Sequence, residues 1–162
     1  MNALVPALVL VAALQGPPSR PEAASAGSRR SLPAISQAKA ESAMETIVRD
    51  NMSNVEEPTQ IVAKTPSEWA ALWRLHAGDQ APAPKIDFTN RMVVAVFLGS
   101  RPSAGYAVEV SGTKPAGKTL IVEWNEHTPT PGSVLAQVIT SPSHLVSIPK
   151  FDGQIIFRKV ER

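Results

Sequence analysis

The apolar positions of this chain change their period from one segment to the next. Residues 92–98 (MVVAVFL) form an apolar run with no polar interruption, bounded by Arg91 and Gly99. A run of that length fits a strand covered on both faces better than a helix. The next stretch, 99–105, is rich in Gly, Pro and Ser, the residues of a shaped turn. Beyond it, Tyr106, Val108 and Val110 alternate with Ala107 and Glu109, the pattern of a half-buried strand. The unit reads as a strand–turn–strand hairpin, and the other elements are expected to gather around it.

One segment has helical period instead. Thr65 is an N-cap candidate, Pro66 suits the first helical position, and Glu68 completes a capping box. Trp69, Leu72, Trp73 and His76 then recur at i, i+3, i+4 and i+7, and Gly78 stops the run. This predicts an amphipathic helix over 66–77, with the two Trp as core anchors rather than a ligand box. Alternation and β-branching predict further strands at 45–49, 59–64, 120–124, 134–139, 145–148 and 154–160. Pro, Gly, Asn or Ser clusters separate them, including turns over 112–119, 125–132 and 140–144. The expected fold is α+β: a mostly antiparallel β sandwich or open barrel of about six to eight strands. The helix would pack on the sheet through Trp69, Leu72 and Trp73.

The N-terminal part differs in composition. Residues 3–14 are an uncharged apolar block, too short to cross a bilayer as a helix but suited to the core of a secretory signal. Residues 15–43 are rich in Pro, Ser, Ala and Gly, with only Leu32 and Ile35 as large apolar groups. Such a segment cannot bury enough surface to offset its ordering entropy. The expected organisation is a signal peptide at 1–15, a disordered linker at 16–43 and one domain at 44–162. The expected location is extracytoplasmic, periplasmic or secreted. Membrane contact is expected only through the N-terminal segment if it is not cleaved.

Composition narrows the function. The chain has no cysteine, which excludes disulfides, thiolate chemistry, a Cys-based zinc site and a lipid-bearing N-terminal Cys. A pI near 9.2 invites a nucleic-acid reading, but the excess charge belongs to the N-terminal 43 residues. Residues 44–162 carry 12 basic and 12 acidic side chains. A neutral domain lacks the electrostatic footprint of a polyanion binder, so no nucleic-acid partner is expected.

Residues 112–119 (GTKPAGKT) match the Walker A pattern letter for letter. A phosphate loop needs a helix after it. Here Leu120, Ile121 and Val122 predict a strand, and Pro115 removes an amide from the cradle, so the octet reads as a β-turn with no nucleotide. Ser103 lacks the first Gly of a nucleophile elbow and precedes a strand. Ser143 and His144 are sequence neighbours, and adjacent side chains point apart. His76, His127 and His144 show no paired metal-ligand spacing. No enzymatic activity, metal or cofactor is expected. An uncharacterised hydrolase with no recognisable motif would need at least two of His76, His127, His144, Glu123 and Asp152 to converge in a pocket.

The order of landmarks is more specific than any single motif. Glu57-Pro58, the 67–73 helix segment with Trp69 and Trp73, Asp87-Phe88, the 93–99 run, Arg101 to Tyr106, the 136–142 stretch, Ser143 to Val146 and Ile148-Pro149-Lys150 follow one another. Together they resemble the PrcB C-terminal domain family, and the resemblance covers about residues 44–162. It implies a non-catalytic accessory module outside the cytoplasm. The family takes its name from a protease-associated subunit, which does not by itself give this chain a protease partner; the expected partner is a protein, with a protease as one candidate. The Pro102 to Tyr106 turn is also similar to one inhibitory loop of chagasin-like cysteine-protease inhibitors, whose other two loops are not found. That alternative predicts that the 99–106, 125–132 and 140–144 loops meet at one end of the domain. The expected recognition residues are Arg101, Pro102, Ser103, Gly105 and Tyr106, with His144 beside them. Arg and Tyr offer large contact areas with polar tips.

Overall fold

The computed structural model describes residues 44–161. The signal peptide and linker expected at 1–15 and 16–43 lie outside the described residues. The elements run β1 (Glu45–Asp50), β2 (Thr59–Ala63), α1 (Pro66–Ala77), β3 (Arg91–Phe97), β4 (Ala107–Ala116), β5 (Thr119–His127), β6 (Ser143–Pro149) and β7 (Gln154–Lys159). They form a four-stranded sheet in the order β1-β6-β3-β2 and a three-stranded sheet in the order β4-β5-β7. The expected α+β sandwich is what is found. Its pairing is antiparallel except between β5 and β7, which run parallel.

The continuous apolar run of β3 has a direct structural reason. Met92, Val94, Val96 and Leu98 point to one face, where they meet Val108, Val110, Leu120 and Val122 of the second sheet. Val93, Ala95 and Phe97 point to the other face, against Trp69 and Leu72 of α1. A strand sandwiched between a helix and a second sheet has no solvent face on which to place a polar side chain. β6 repeats the arrangement: Val146 and Ile148 face the second sheet and Leu145 faces the helix layer.

Helix α1 starts as its sequence predicts. The Thr65 side chain accepts the Glu68 N–H at 3.3 Å, and the Glu68 carboxylate accepts the Thr65 N–H at 3.1 Å. Those bonds satisfy donors that the first turn leaves free. The Trp rings lie 5.3 Å apart. Their indole N–H groups donate to the carbonyls of Pro84 and Ala81, each at 2.9 Å, which ties the following loop back to the helix.

Five expectations fail, the first being the turn expected over 125–132, whose residues Asn125 to His127 continue β5 because they pair with Ala107 to Glu109 of β4. The 92–110 unit is not a hairpin, because β3 and β4 lie in different sheets. Beyond β3 the chain stays beside the segment that precedes β6, with Leu98 N–H on the Pro142 carbonyl and Arg101 bridged to Thr140. It then turns at Gly105 (φ 90) and enters the second sheet. The 112–119 octet is mostly strand: it spans the end of β4, a turn at Gly117 and Lys118, and the first residue of β5. A strand stands where a phosphate loop needs its helix. Residues 134–139 pair with no strand despite their pattern, and Val134, Val138 and Ile139 are exposed. Finally, Ser143 and His144 belong to β6 rather than to a turn.

Candidate functional site

The end of the sandwich where β3 leaves and β6 begins collects most of the polar side chains of interest. Two loops build it. Residues 99–106 carry the chain between sheets, and residues 128–142 return it from β5 to β6. They are stitched together by the paired N–H and carbonyl groups of Arg101 and Thr140 (2.7 and 3.0 Å), by Thr140 Oγ1 on the Ser103 carbonyl (3.1 Å) and by Ala104 N–H on the Ala136 carbonyl (3.0 Å). Gly105 faces the second loop: a Cβ there would sit 3.1 Å from Pro129 and 3.3 Å from Leu135. The three segments at 99–106, 125–132 and 140–144 therefore meet at one end.

Two residues on the first loop carry polar tips. The Arg101 guanidinium donates to Glu126 Oε1 at 3.2 and 3.0 Å and lies 5.9 Å from the centre of the Tyr106 ring. Lys159 of β7 holds the other carboxylate oxygen at 2.8 Å and lies 5.6 Å from the Trp124 ring centre. Burial on its own would raise the Glu126 carboxyl. The hydrogen bonds from Lys159 and Arg101 overcome it and hold Glu126 below its ordinary value. The result is a clasp of two cations on one carboxylate, joining the inter-sheet loop, β5 and β7. Arg101 is thus engaged within the chain, and Tyr106 is half-buried beneath it.

The remaining sequence-selected residues divide. Pro102 and Gly105 are exposed. Ser103 is buried, and its hydroxyl donates to the Ala104 carbonyl at 3.1 Å. His144 does not line the loop: it is buried on the inter-sheet face of β6. Its Nδ1 accepts the Val110 N–H at 2.8 Å, and its Nε2 lies 3.0 Å from Thr46 Oγ1. A backbone N–H can only donate, so Nδ1 is unprotonated and Nε2 carries the hydrogen toward Thr46. Burial, and after it the Arg49 charge, push the imidazole down to about 4, while Glu109 pulls the other way. His144 joins the two sheets as a neutral group.

Arg49 also joins the two sheets, two residues along β4, as a cation. Its Nε donates to the Val108 carbonyl at 3.0 Å, and its guanidinium lies 3.4 Å from Glu109. β4 is an edge strand of its sheet. Side chains of β1 and β6 thus satisfy backbone groups that an edge strand would otherwise leave open. Next to this corner lies a cleft of about 480 Å³ lined by Arg49, Asn51, Glu109, Asn125, Glu126 and His127 among others. The Asn125 Nδ2 is buried with no hydrogen-bond partner. Of the five residues an enzyme would have brought together, His127 alone lines this cleft. His76 is on the buried face of α1, with Nδ1 3.0 Å from Ser53 Oγ, and Glu123 pairs with Lys114 at 2.8 Å. Among the described residues, no three His, Asp or Glu side chains are grouped to hold a metal ion.

The sequence singles out Arg101 and Tyr106 but not the residues that hold them. Glu126 falls in the stretch that the sequence marks as a turn, and Lys159 in the strand expected at 154–160. Alternation along β5 does place Trp124 and Glu126 on the face of Leu120 and Val122, so the register carried a signal. Nothing local marks Arg49 or Asn125.

Residues 92–149 match the family model described as PrcB C-terminal. This stretch belongs to the PrcB C-terminal family. The matched residues run from β3 through β6 and include both loops of the end just described. Strands β1, β2 and β7 and helix α1 lie outside the match. No curated protein and no solved structure matches the chain.

Proposed function

We propose that this chain is an exported, non-enzymatic accessory module that works by contacting a protein partner, with a protease as the first partner to test. The observation that carries the reading is the loop end of the PrcB C-terminal stretch. It exposes Val134, Val138 and Ile139, and exposed Met52 joins them through its bridge to Ser141. The ionisable groups around it are spent on each other, in the Arg101–Glu126–Lys159 clasp and the Arg49–Glu109 pair. Apolar contact area beside charges already engaged within the chain favours association over catalysis.

The test is affinity capture with the full-length chain as bait on the native extracytoplasmic fraction. A retained protein in fixed ratio to the bait is expected. Retention of a small metabolite and no protein would overturn the reading.

A second reading is favoured by the meeting of the 99–106, 125–132 and 140–144 segments. That gathering is what a wedge-like, chagasin-type protease inhibitor requires. Titration of the chain against a papain-like cysteine protease separates the two: inhibition supports the wedge, and full residual activity at saturating chain removes it.

A further inference from the structure

Residues 134–139 have the composition of a strand and the surroundings of a loop. Val134, Val138 and Ile139 are exposed, and none of the N–H groups from 134 to 139 donates to any described protein group. The flanking contacts show which edge is open. The Ala136 carbonyl accepts the Ala104 N–H, and Thr140 exchanges both of its backbone bonds with Arg101. In an extended chain the N–H and carbonyl of one residue point to the same edge, and successive residues alternate. Ala136 and Thr140 are four residues apart and use the same edge, so Val138 belongs to it too. An extended course between these two bonds places the backbone groups of Leu135, Gln137 and Ile139 on the opposite edge, where the contact among the described residues is the Gln137 side-chain amide, 3.5 Å from the Leu135 carbonyl.

We propose that this open edge is a docking site for an extended segment of a partner polypeptide, which adds a strand beside residues 135–139. The inference deepens the protein-partner reading and rests on it. The chemistry selects the occupant. The undonated N–H groups of Leu135, Gln137 and Ile139, with the carbonyls of Gln137 and Ile139, lie at two-residue spacing and are matched by another polypeptide backbone. The apolar side chains would take alternate side chains of the added strand. Residues 128–143 carry no charged side chain, so the surface offers nothing to a polyanion or an acidic membrane.

The experiment selects a phage-displayed library of random dodecapeptides on the full-length chain and reads amide hydrogen exchange with a selected peptide bound. Peptides with alternating apolar residues are expected, and exchange at Leu135, Gln137 and Ile139 slows by about tenfold or more. Gln137→Pro removes the central open-edge donor and weakens binding by about tenfold. Ala136→Pro removes an N–H on the closed edge and leaves binding within about threefold. Both positions are exposed and outside the core, and circular dichroism confirms that each variant folds. Equal losses for the two Pro variants overturn the strand pairing, as does protection confined to another surface. In either case a bound peptide leaves the protein-partner reading standing. Failure to select any peptide overturns both. A concentration-dependent dimer protected at 135–139 would make a second copy of this chain the occupant and overturn the proposal, as would protection by neutral phosphatidylcholine vesicles without peptide.

Discussion

Residues 92–98 and 134–139 look alike in sequence and differ in almost everything else. Both are short, apolar and rich in β-branched side chains. The first is β3, paired on one edge with β2 and on the other with β6, and covered by α1 and the second sheet. The second is held on one edge at Ala136 and Thr140 and has Val134, Val138 and Ile139 in solvent. Local preference for extended structure is therefore common to both. What makes β3 a strand is a neighbour on each edge and a layer on each face. The segment at 134–139 has the preference without the neighbours.

The largest test of this contrast places a charge in β3. Val94 is fully buried between the sheets. Val94→Asp would bury a carboxylate with no partner, a loss of several kcal/mol against a total stability of about 5–15 kcal/mol. Urea titration followed by circular dichroism should show no cooperative native baseline. A normally folded variant would mean that the inter-sheet layer admits water.

Glycines at the entrance of each region give the next effect. Gly99 ends the β3 run at φ 73, and a Cβ there would lie 2.5 Å from the Glu56 carbonyl oxygen and 2.8 Å from the Pro58 nitrogen. Both obstacles are backbone, so Gly99→Ala should cost about 3 kcal/mol or more. Gly132 precedes the unpaired segment at φ 83 with nothing within 4 Å. Gly132→Ala should cost only the left-handed penalty of about 1–2 kcal/mol. Equal shifts in the urea midpoints would erase the distinction between a walled and an open position.

His144 pairs with Val96 in the register of β6 and β3 and holds β4 through Val110. Its pKa falls from the usual value near 6.5 to about 4 on folding. A depressed histidine is neutral in the native state while the unfolded chain takes up a proton. The stability it permits is present above about pH 6.5 and is lost progressively as pH falls toward 4, by up to about 3 kcal/mol. His144→Leu should abolish that slope and, at neutral pH, cost about 1–3 kcal/mol by orphaning the Val110 N–H. His144→Asn, whose Oδ1 can replace Nδ1 as acceptor, should also remove the slope at a smaller cost. An unchanged slope in both variants would assign the pH dependence to another group.

How much was legible follows from the same contrast. The capping box of Thr65 and Glu68, the Trp69–Leu72–Trp73 face and the doubly covered 92–98 run were readable because each rests on contacts within one segment or on burial. The sheet change between β3 and β4 was not, since a Gly- and Pro-rich connection serves a hairpin or a crossover equally. The parallel pairing of β7 with β5 likewise leaves no local trace. His144 was assigned to a recognition loop because a His in a Ser-Pro-Ser-His run looks like turn chemistry. Its real work is a hydrogen bond to Val110, 34 residues away. The Arg101–Glu126–Lys159 clasp spans three segments, and only the alternation along β5 hinted at it.

The smallest expected effect is the most discriminating. Val138→Asp makes the same chemical change as Val94→Asp, at a side chain about half in solvent and outside both core clusters. Stability should move by no more than about 0.5 kcal/mol, since the carboxylate stays hydrated and no buried contact is lost. Capture of a partner polypeptide should nonetheless weaken, because the substitution puts a charge on the apolar surface that the added strand would cover. A destabilisation of about 2 kcal/mol or more would mean that residues 134–139 already pack as part of the sandwich. Two identical substitutions would then have similar consequences, and the contrast between a partnered and an unpartnered strand sequence would have no energetic basis.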